Sequence, residues 1–130
     1  MASSCIFLPL GLLVLSLLCA ANADVYVWGL RGYGVQGDAF GNAPDPFVKV
    51  YCGSTFGGMT EFIKDNANPS WSADFSFRNG KVGDTLKLEV WDKDMNYDDH
   101  LGNCVTTVKA GSYKVSCNFG KGVLEYHYSL

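Results

Sequence analysis

Hydrophobic and polar residues alternate along short stretches of the chain, and one stretch shows this pattern most clearly. Leu86, Leu88 and Val90 alternate with polar residues at positions 85, 87 and 89. A period of two places the apolar side chains on one face of a β-strand and the polar ones on the other. The predicted domain shows no sustained 3.6-residue period, so the pattern favours strands over amphipathic helices.

Similar stretches rich in Val, Tyr, Phe, Trp and Thr recur along the chain, with Gly, Asn, Asp and Pro between them. This arrangement is typical of an antiparallel sandwich or barrel. The pattern predicts eight strands, near residues 25–30, 47–52, 59–64, 71–77, 85–91, 101–108, 113–117 and 123–128. We therefore expect an all-β fold.

The first 23 residues differ from the rest, because they contain no charged residue and no His. An apolar run begins at Cys5 and ends in Ala-Asn-Ala at residues 21–23. A short apolar run before a small-x-small pattern is typical of a secretory signal peptide. The sequence thus predicts a signal peptide at residues 1–23 and a single domain at residues 24–130. Retention of the run as a membrane anchor is the alternative interpretation.

The charge of the chain argues against one class of partner, nucleic acids. It carries 10 basic and 13 acidic side chains, for a net charge of −3. Proteins that bind nucleic acid need a clustered basic surface, which this composition does not favour. We expect a secreted, extracellular protein with no nucleic-acid partner.

Three cysteines remain in the predicted domain. Cys104 and Cys117 flank a predicted hairpin loop at residues 109–112, so their strands are expected to lie side by side. A disulfide between them suits an oxidising compartment. Cys52 continues the alternation of Val48 and Val50, which indicates a buried side chain. The alternative for Cys52 is a reactive thiol or a disulfide between two copies of an otherwise monomeric protein.

Two connections, at residues 32–46 and 92–100, are unlike simple turns because they are rich in Asp. Their aspartates are Asp38, Asp45, Asp92, Asp94, Asp98 and Asp99. Loops of a sandwich cluster at its two ends, so the carboxylates converge if both loops lie at one end. Two carboxylates 4 Å apart repel by about 4 kcal/mol at an effective dielectric constant of 20.

Such a cluster needs compensation by protons, basic groups or a metal ion. Lys93 is the only Lys or Arg in the two loops, and its alternation with Asp92 and Asp94 predicts that it points away from them. Oxygen ligands on flexible loops suit Ca²⁺, whereas Zn²⁺ prefers His and Cys. The residues therefore indicate a calcium site.

Three sequence blocks resemble the C2 domain family. They are Asp-Pro-Phe-Val-Lys-Val at residues 45–50, Asn-Pro-Ser-Trp at 68–71, and Trp-Asp-Lys-Asp at 91–94 followed by Asp-His-Leu-Gly at 99–102. Their order and spacing agree with the family across residues 24–130. Within the family, the Trp-Gly-Leu-Arg-Gly at 28–32, the Asp pair at 98–99 and the Gly-x-Cys at 102–104 are most similar to the perforin C2 domain.

The resemblance implies an eight-stranded antiparallel β-sandwich with Ca²⁺ held between loops at one end. It also implies calcium-dependent docking on a phospholipid membrane. Asp45, Asp92, Asp94 and Asp99 match ligand positions of the family, and Asp38 and Asp98 are expected as additional ligands. The likeness to perforin further suggests a role in immune defence, here as a stand-alone domain.

Apolar residues in the acidic loops are candidates for insertion into the membrane interface. Those candidates are Val35, Phe40, Met95 and Tyr97, whereas Tyr33 is expected to pack against the domain. Burial of a large apolar side chain contributes about 1.5–3 kcal/mol, and aromatic rings favour the headgroup region.

Two other functions remain open from the sequence. An enzyme is not expected, because His100 and His127 are the only histidines and no nucleophile motif is present. A module that binds a protein or a glycan, with calcium structural or absent, is the main alternative.

Overall fold

The strands of this protein form two antiparallel sheets. The computed structural model describes residues 2–10, 14–37 and 41–130, and side chains are described for residues 23–37 and 41–130. Within these ranges there are ten strands: β1 (Ala2–Leu10), β2 (Val14–Tyr33), β3 (Pro46–Cys52), β4 (Thr55–Met59), β5 (Ser70–Trp71), β6 (Phe75–Gly80), β7 (Thr85–Asp92), β8 (Asp99–Thr107), β9 (Ser112–Asn118) and β10 (Val123–Ser129). The same ranges contain no helix that is long and apolar enough to cross a membrane.

One sheet has the order β1-β2-β10-β9, and the short strands β5 and β6 pair with other parts of β2. The other sheet has the order β4-β3-β7-β8. Every pairing is antiparallel. The predicted all-β sandwich is confirmed.

Each of the eight predicted strands has a counterpart, but the third one is displaced. It was expected at residues 59–64, whereas β4 ends at Met59. The ladder stops there because the Thr60 hydroxyl, instead of a backbone carbonyl, accepts the hydrogen bond from the Val48 amide at 3.0 Å. Beyond Met59 the chain stays beside β3 without regular pairing, since the Thr60 and Ile63 amides donate to β3 carbonyls at 2.9 and 3.1 Å.

The predicted strand at residues 71–77 is divided into β5 and β6. The division follows from a bend in their common partner, β2, where Gly29 has a φ of +67°. Leu30 pairs with Trp71 on one side of the bend, and Val27 pairs with Phe75 on the other. Residues 72–74 therefore lie outside the ladder.

The predicted signal peptide overlaps β1 and the first part of β2, which pair with each other from Ala2↔Asn22 to Leu10↔Val14. These pairings do not test whether residues 1–23 are removed by cleavage. The signal peptide and the boundary of the 24–130 domain therefore stay predictions.

The core lies between the two sheets and follows the alternation in the sequence. In β7, Leu86, Leu88 and Val90 are fully buried, and the polar residues between them are not. Val25 and Val27 of β2 face them across the sandwich core and are equally buried. Burial of this many aliphatic side chains is the main source of stability in a domain of this size.

Cys104 and Cys117 form a disulfide, with an S–S distance of 2.14 Å. The predicted pairing is therefore present, but the predicted hairpin is wrong. Cys104 lies on β8, an edge strand of the four-stranded sheet, and Cys117 lies on β9, an edge strand of the other sheet. The disulfide thus links the two sheets along one side of the sandwich.

Cys52 lies at the end of β3 and belongs to the core, with 7% of its surface exposed. Burial, and secondarily the negative charge of Asp84, raises the pKa of its thiol. A thiol of this kind stays protonated and reacts slowly. The structure agrees with the interpretation of Cys52 as a buried small hydrophobe, and a disulfide between two copies stays a prediction.

Candidate metal centre

Three loops meet at one end of the sandwich, and backbone hydrogen bonds hold them together. Residues 34–37 and 41–45 are described in the first loop, the second loop spans residues 60–69 and the third spans residues 93–98. The Val35 amide donates to the Ala67 carbonyl at 2.8 Å, which joins the first and second loops. The Lys93 amide donates to the Asp45 carbonyl at 2.9 Å, which joins the third loop to the first. The two acidic loops of the sequence therefore lie at the same end.

The Asn-Pro-Ser-Trp block at residues 68–71 fixes the second loop in place. The Asn68 side-chain oxygen accepts a hydrogen bond from the Gly34 amide at 2.9 Å. The Trp71 indole donates to the Glu61 carbonyl at 3.0 Å. These contacts join the block to the first loop and to the start of the second, so the block has a positioning role.

The carboxylates of two aspartates, Asp45 and Asp92, accept hydrogen bonds that connect the three loops one after another. The Asp65 amide of the second loop donates to Asp45 Oδ1 at 2.8 Å. The Asp45 amide in turn donates to Asp92 Oδ1, also at 2.8 Å. Asp92, at the end of β7, is only 8% exposed. The loops are thus arranged around carboxylates, not around an apolar cluster.

These residues surround an open cavity of about 290 Å³. Its walls are formed by Asn42, Ala43, Asp45, Asp65, Asp92, Lys93 and Asp94. Three of the predicted ligands, Asp45, Asp92 and Asp94, are therefore brought together. Asp65 and Asn42 belong to the same cavity and were missed by the sequence reasoning. The signal available for Asp65 was its position just before the Asn-Pro block, because that block anchors the second loop beside the first.

The remaining predicted ligands lie at different positions. Asp99 is opposite Asp92 in the pairing of β7 with β8. Asp98 lines a neighbouring groove instead of the acidic cavity. Asp38 and Phe40 lie outside the described residues.

Lys93 was predicted to point away from Asp92 and Asp94, but its ammonium compensates a different aspartate of the third loop. Its ammonium lies 3.5 Å from Asp98 Oδ1, and the residue lines the acidic cavity as well. Strand-like alternation does not extend into the third loop, because Asp98 folds back and accepts a hydrogen bond from the Asp94 amide at 3.1 Å.

The donors around the cavity suit a hard cation. They are carboxylate and amide oxygens, with no His or Cys among them, as Ca²⁺ prefers. Among the residues with described side chains, no group of three or more His, Cys, Asp or Glu is arranged closely enough to hold a metal ion. The donor chemistry therefore fits Ca²⁺, while the carboxylates line the cavity without converging on one point.

The apolar candidates in the loops divide sharply by exposure. Met95 is 99% exposed and Tyr97 is 86% exposed, and both lie in the third loop between Asp94 and Asp98. Val35 is 3% exposed and belongs to the core, so its prediction as a membrane-facing tip is wrong. The hydrogen bonds of residues 35 and 36 to Ala67 and Lys121 hold this segment against the domain and turn Val35 inward.

Tyr33 was expected to pack, and its ring does contact the Arg31 guanidinium at 5.8 Å. It is nevertheless 39% exposed. Tyr33 is therefore only partly covered by the domain.

A second groove of about 350 Å³ adjoins the third loop on the side of β3 and β4. It is lined by Phe47, Lys49, Met59, Thr60, Glu61, Phe62, Lys93 and Asp98. On the same sheet, the Lys49 ammonium lies 4.2 Å from the centre of the Trp91 ring. Burial raises the pKa of Glu89, but hydrogen bonds from Trp91 and Lys87 outweigh it and hold this pKa below its usual range. The lowered pKa favours the charged form of Glu89 on this sheet.

Comparison with known proteins agrees with this geometry. The sequence profile of the C2 domain matches residues 23–120. Perforin-1 from Homo sapiens is 38% identical over 112 residues, which cover 82% of this chain and 19% of that protein. A protein from Arabidopsis thaliana named calcium-dependent lipid-binding protein is 36% identical over 59 residues, or 45% of this chain and 12% of that protein.

A solved structure described as a C2 domain superposes with a TM-score of 0.78 at 36% identity, covering 82% of this chain and 96% of that one. The chain spans only about a fifth of the length of perforin-1. The comparison therefore concerns this one domain.

Proposed function

Because the chain belongs to the C2 domain family, we propose that it is a secreted module that binds phospholipid membranes when Ca²⁺ is bound. One observation carries the proposal. Among the residues with described side chains, the two most exposed large apolar ones are Met95 and Tyr97, and they lie in the loop whose neighbouring aspartates line the acidic cavity. A cation site and an apolar contact surface are thereby combined at one end of the molecule.

The proposed ligands follow from the cavity and from the resemblance. Asp45, Asp92 and Asp94 form the centre of the site, and Asp99 completes it from the start of β8. Asp38 and Asp98 are further candidates, and Asp65 adds a carboxylate from the second loop. When bound, Ca²⁺ supplies positive charge and coordination positions that lipid phosphate can share.

The protein's own residues then determine membrane contact. Without a cation, the carboxylates at this end repel an anionic surface. Met95 and Tyr97 extend beyond the ligands and can enter the interface, where an aromatic ring is favoured. The name of the Arabidopsis relative, calcium-dependent lipid-binding protein, supports the same pairing of ion and lipid.

Secretion is part of the proposal and rests on two features. One is the apolar, uncharged leader that ends at Ala23. The other is the disulfide between Cys104 and Cys117, since such bonds persist in oxidising compartments. The similarity to perforin-1 extends the proposal to a role in immune defence.

Liposome co-sedimentation tests the function directly. The purified protein would be mixed with vesicles of pure phosphatidylcholine, or with vesicles that also contain about 30 per cent phosphatidylserine. Each mixture would be prepared in about 1 mM Ca²⁺ and in excess chelator. We expect sedimentation only with Ca²⁺, reversed by chelator. Equal sedimentation in both conditions would contradict the calcium dependence.

A second candidate function has one observation in its favour. On the outer face of the six-stranded sheet, the Trp28 ring stacks on His127 at 5.4 Å and contacts Tyr26 at 5.2 Å. Half-exposed rings in a row can stack on a sugar. Binding to a glycan array in the presence of chelator, without liposome binding, would favour this alternative.

A further inference from the structure

Lys93 has an unusual position, because it lies between two aspartates of the proposed site and contacts a third. It occurs in the sequence between Asp92 and Asp94. Its backbone is fixed by the hydrogen bond from its amide to the Asp45 carbonyl, at 2.9 Å. The residue lines both the acidic cavity and the neighbouring groove. Lys93 therefore lies at the border between the two.

The partner of this ammonium is Asp98. The two groups form an ion pair at 3.5 Å, and the same Asp98 oxygen accepts the hydrogen bond from the Asp94 amide. Asp98 lines the groove and does not line the acidic cavity. Its carboxylate is thus held on the groove side by one charged contact and one backbone contact.

We propose that Lys93 is an internal counter-cation that competes with Ca²⁺ for Asp98 and so sets the calcium concentration at which the site fills. This inference rests on the proposed function and adds its regulation. The ammonium compensates part of the negative charge at this end in the calcium-free protein. Ca²⁺ binding then requires that the Lys93–Asp98 pair be exchanged for a pair between Asp98 and the ion.

The exposure of the pair makes such an exchange feasible. The side chains of Lys93 and Asp98 are 47% and 28% exposed. Exposed ion pairs are weak, because water screens them and long side chains lose entropy when they are held. A divalent ion among several carboxylates can therefore displace the Lys93 ammonium from Asp98.

The test compares calcium affinity in variants by isothermal titration, with the calcium-dependent rise in melting temperature as a second readout. Lys93→Met keeps the length of the side chain and removes its charge. We expect it to bind Ca²⁺ about two- to fivefold more tightly than the parent. Lys81→Met makes the same change of charge in the turn between β6 and β7, outside the three loops, and should leave the affinity unchanged.

Two further variants separate a specific pair from a general charge effect. Lys93→Arg keeps the charge and should keep the parent affinity. In an Asp98→Asn background, Lys93→Met should lose most of its effect, because its partner is already neutral. An equal gain in both backgrounds would overturn the assignment of Asp98 as the competing partner.

The outcomes also distinguish this inference from the proposed function. A parent protein that binds Ca²⁺ while Lys93→Met binds it equally or less tightly would overturn the role of Lys93 alone. A parent protein with no calcium binding in titration or in melting would contradict the calcium site itself.

Discussion

The sandwich body and the loop end of this protein are built from different interactions. The body is held by side chains such as Leu88 and Val27, which are fully buried between the sheets. The loop end is held by backbone hydrogen bonds and by carboxylates that accept them, as in the contact from the Asp45 amide to Asp92. Met95, the most exposed large apolar residue in the described part of the chain, lies at the loop end. We therefore expect substitutions in the body to act mainly on the free energy of unfolding, and substitutions at the loop end to act mainly on the proposed binding.

The largest loss of stability is expected from the centre of the body. Leu88→Ala removes a fully buried side chain of β7 and should lower the free energy of unfolding by about 2–5 kcal/mol. Unfolding in urea, monitored by fluorescence, measures this loss of free energy. Calcium affinity of the folded fraction should stay unchanged. A strong loss of affinity in the folded fraction would show that the two regions are coupled.

The disulfide is the next test of the body. Replacing both Cys104 and Cys117 by Ala should cost about 3 kcal/mol of stability, because the cross-link restricts the unfolded chain. Cys52→Ala is the control, since the Cys52 thiol is free within the chain and takes no part in the link between the sheets. Unfolding midpoints of the three proteins in non-reducing buffer would be compared. An unchanged midpoint in the double variant would show that the sheets need no covalent link.

At the loop end, Ca²⁺ should stabilise the parent by about 2.7 kcal/mol at a hundredfold excess over Kd, and chelator should remove this gain. Asp94→Asn should abolish the calcium-dependent rise in melting temperature and calcium-dependent liposome binding together. The amide keeps an oxygen that can accept the hydrogen bond from the Met95 amide, so the fold should survive.

Asp74→Asn is the control for the loss of one negative charge in Asp94→Asn. Asp74 accepts a hydrogen bond from the Tyr26 hydroxyl and does not line the loop cavity. The control variant should respond to Ca²⁺ like the parent. A parent-like calcium response of Asp94→Asn would place the ion elsewhere.

The smallest effect is expected at the tip of the third loop. Tyr97→Ala removes an 86% exposed ring but no proposed ligand. Liposome affinity should fall about five- to thirtyfold, equivalent to about 1–2 kcal/mol, while the melting response to Ca²⁺ is kept. Tyr113→Ala, at the start of β9, is a control of the same residue type. Equal lipid affinity of the two variants would exclude Tyr97 from the membrane contact.

The sequence predicted the body better than the loop end, for a physical reason. Alternation in β7 is a direct record of burial on one face, so Leu86, Leu88 and Val90 could be assigned to the core. At the edge the signal is weaker. The end of β4 depends on one hydroxyl, that of Thr60, which replaces a ladder contact.

In the loops, position is set by contacts between segments that are distant in sequence. Asp65 joins the cavity because its amide binds Asp45, and Val35 is buried because its amide binds the second loop. No local pattern records such contacts. The composition indicated that Asp oxygens would be the main donors at the loop end, but it could not identify which carboxylates share a cavity or which of them pairs with Lys93.

The disulfide between the sheets also has a consequence for the order of folding. It joins residues only 13 positions apart. The pairing of β2 with β10 joins residues that are much farther apart in sequence, such as Tyr33 and Val123. Closing a short loop costs less entropy than closing a long one, and contacts between distant residues slow folding. In an oxidising compartment the cross-link can therefore form early and set β8 beside β9 before the distant strands pair.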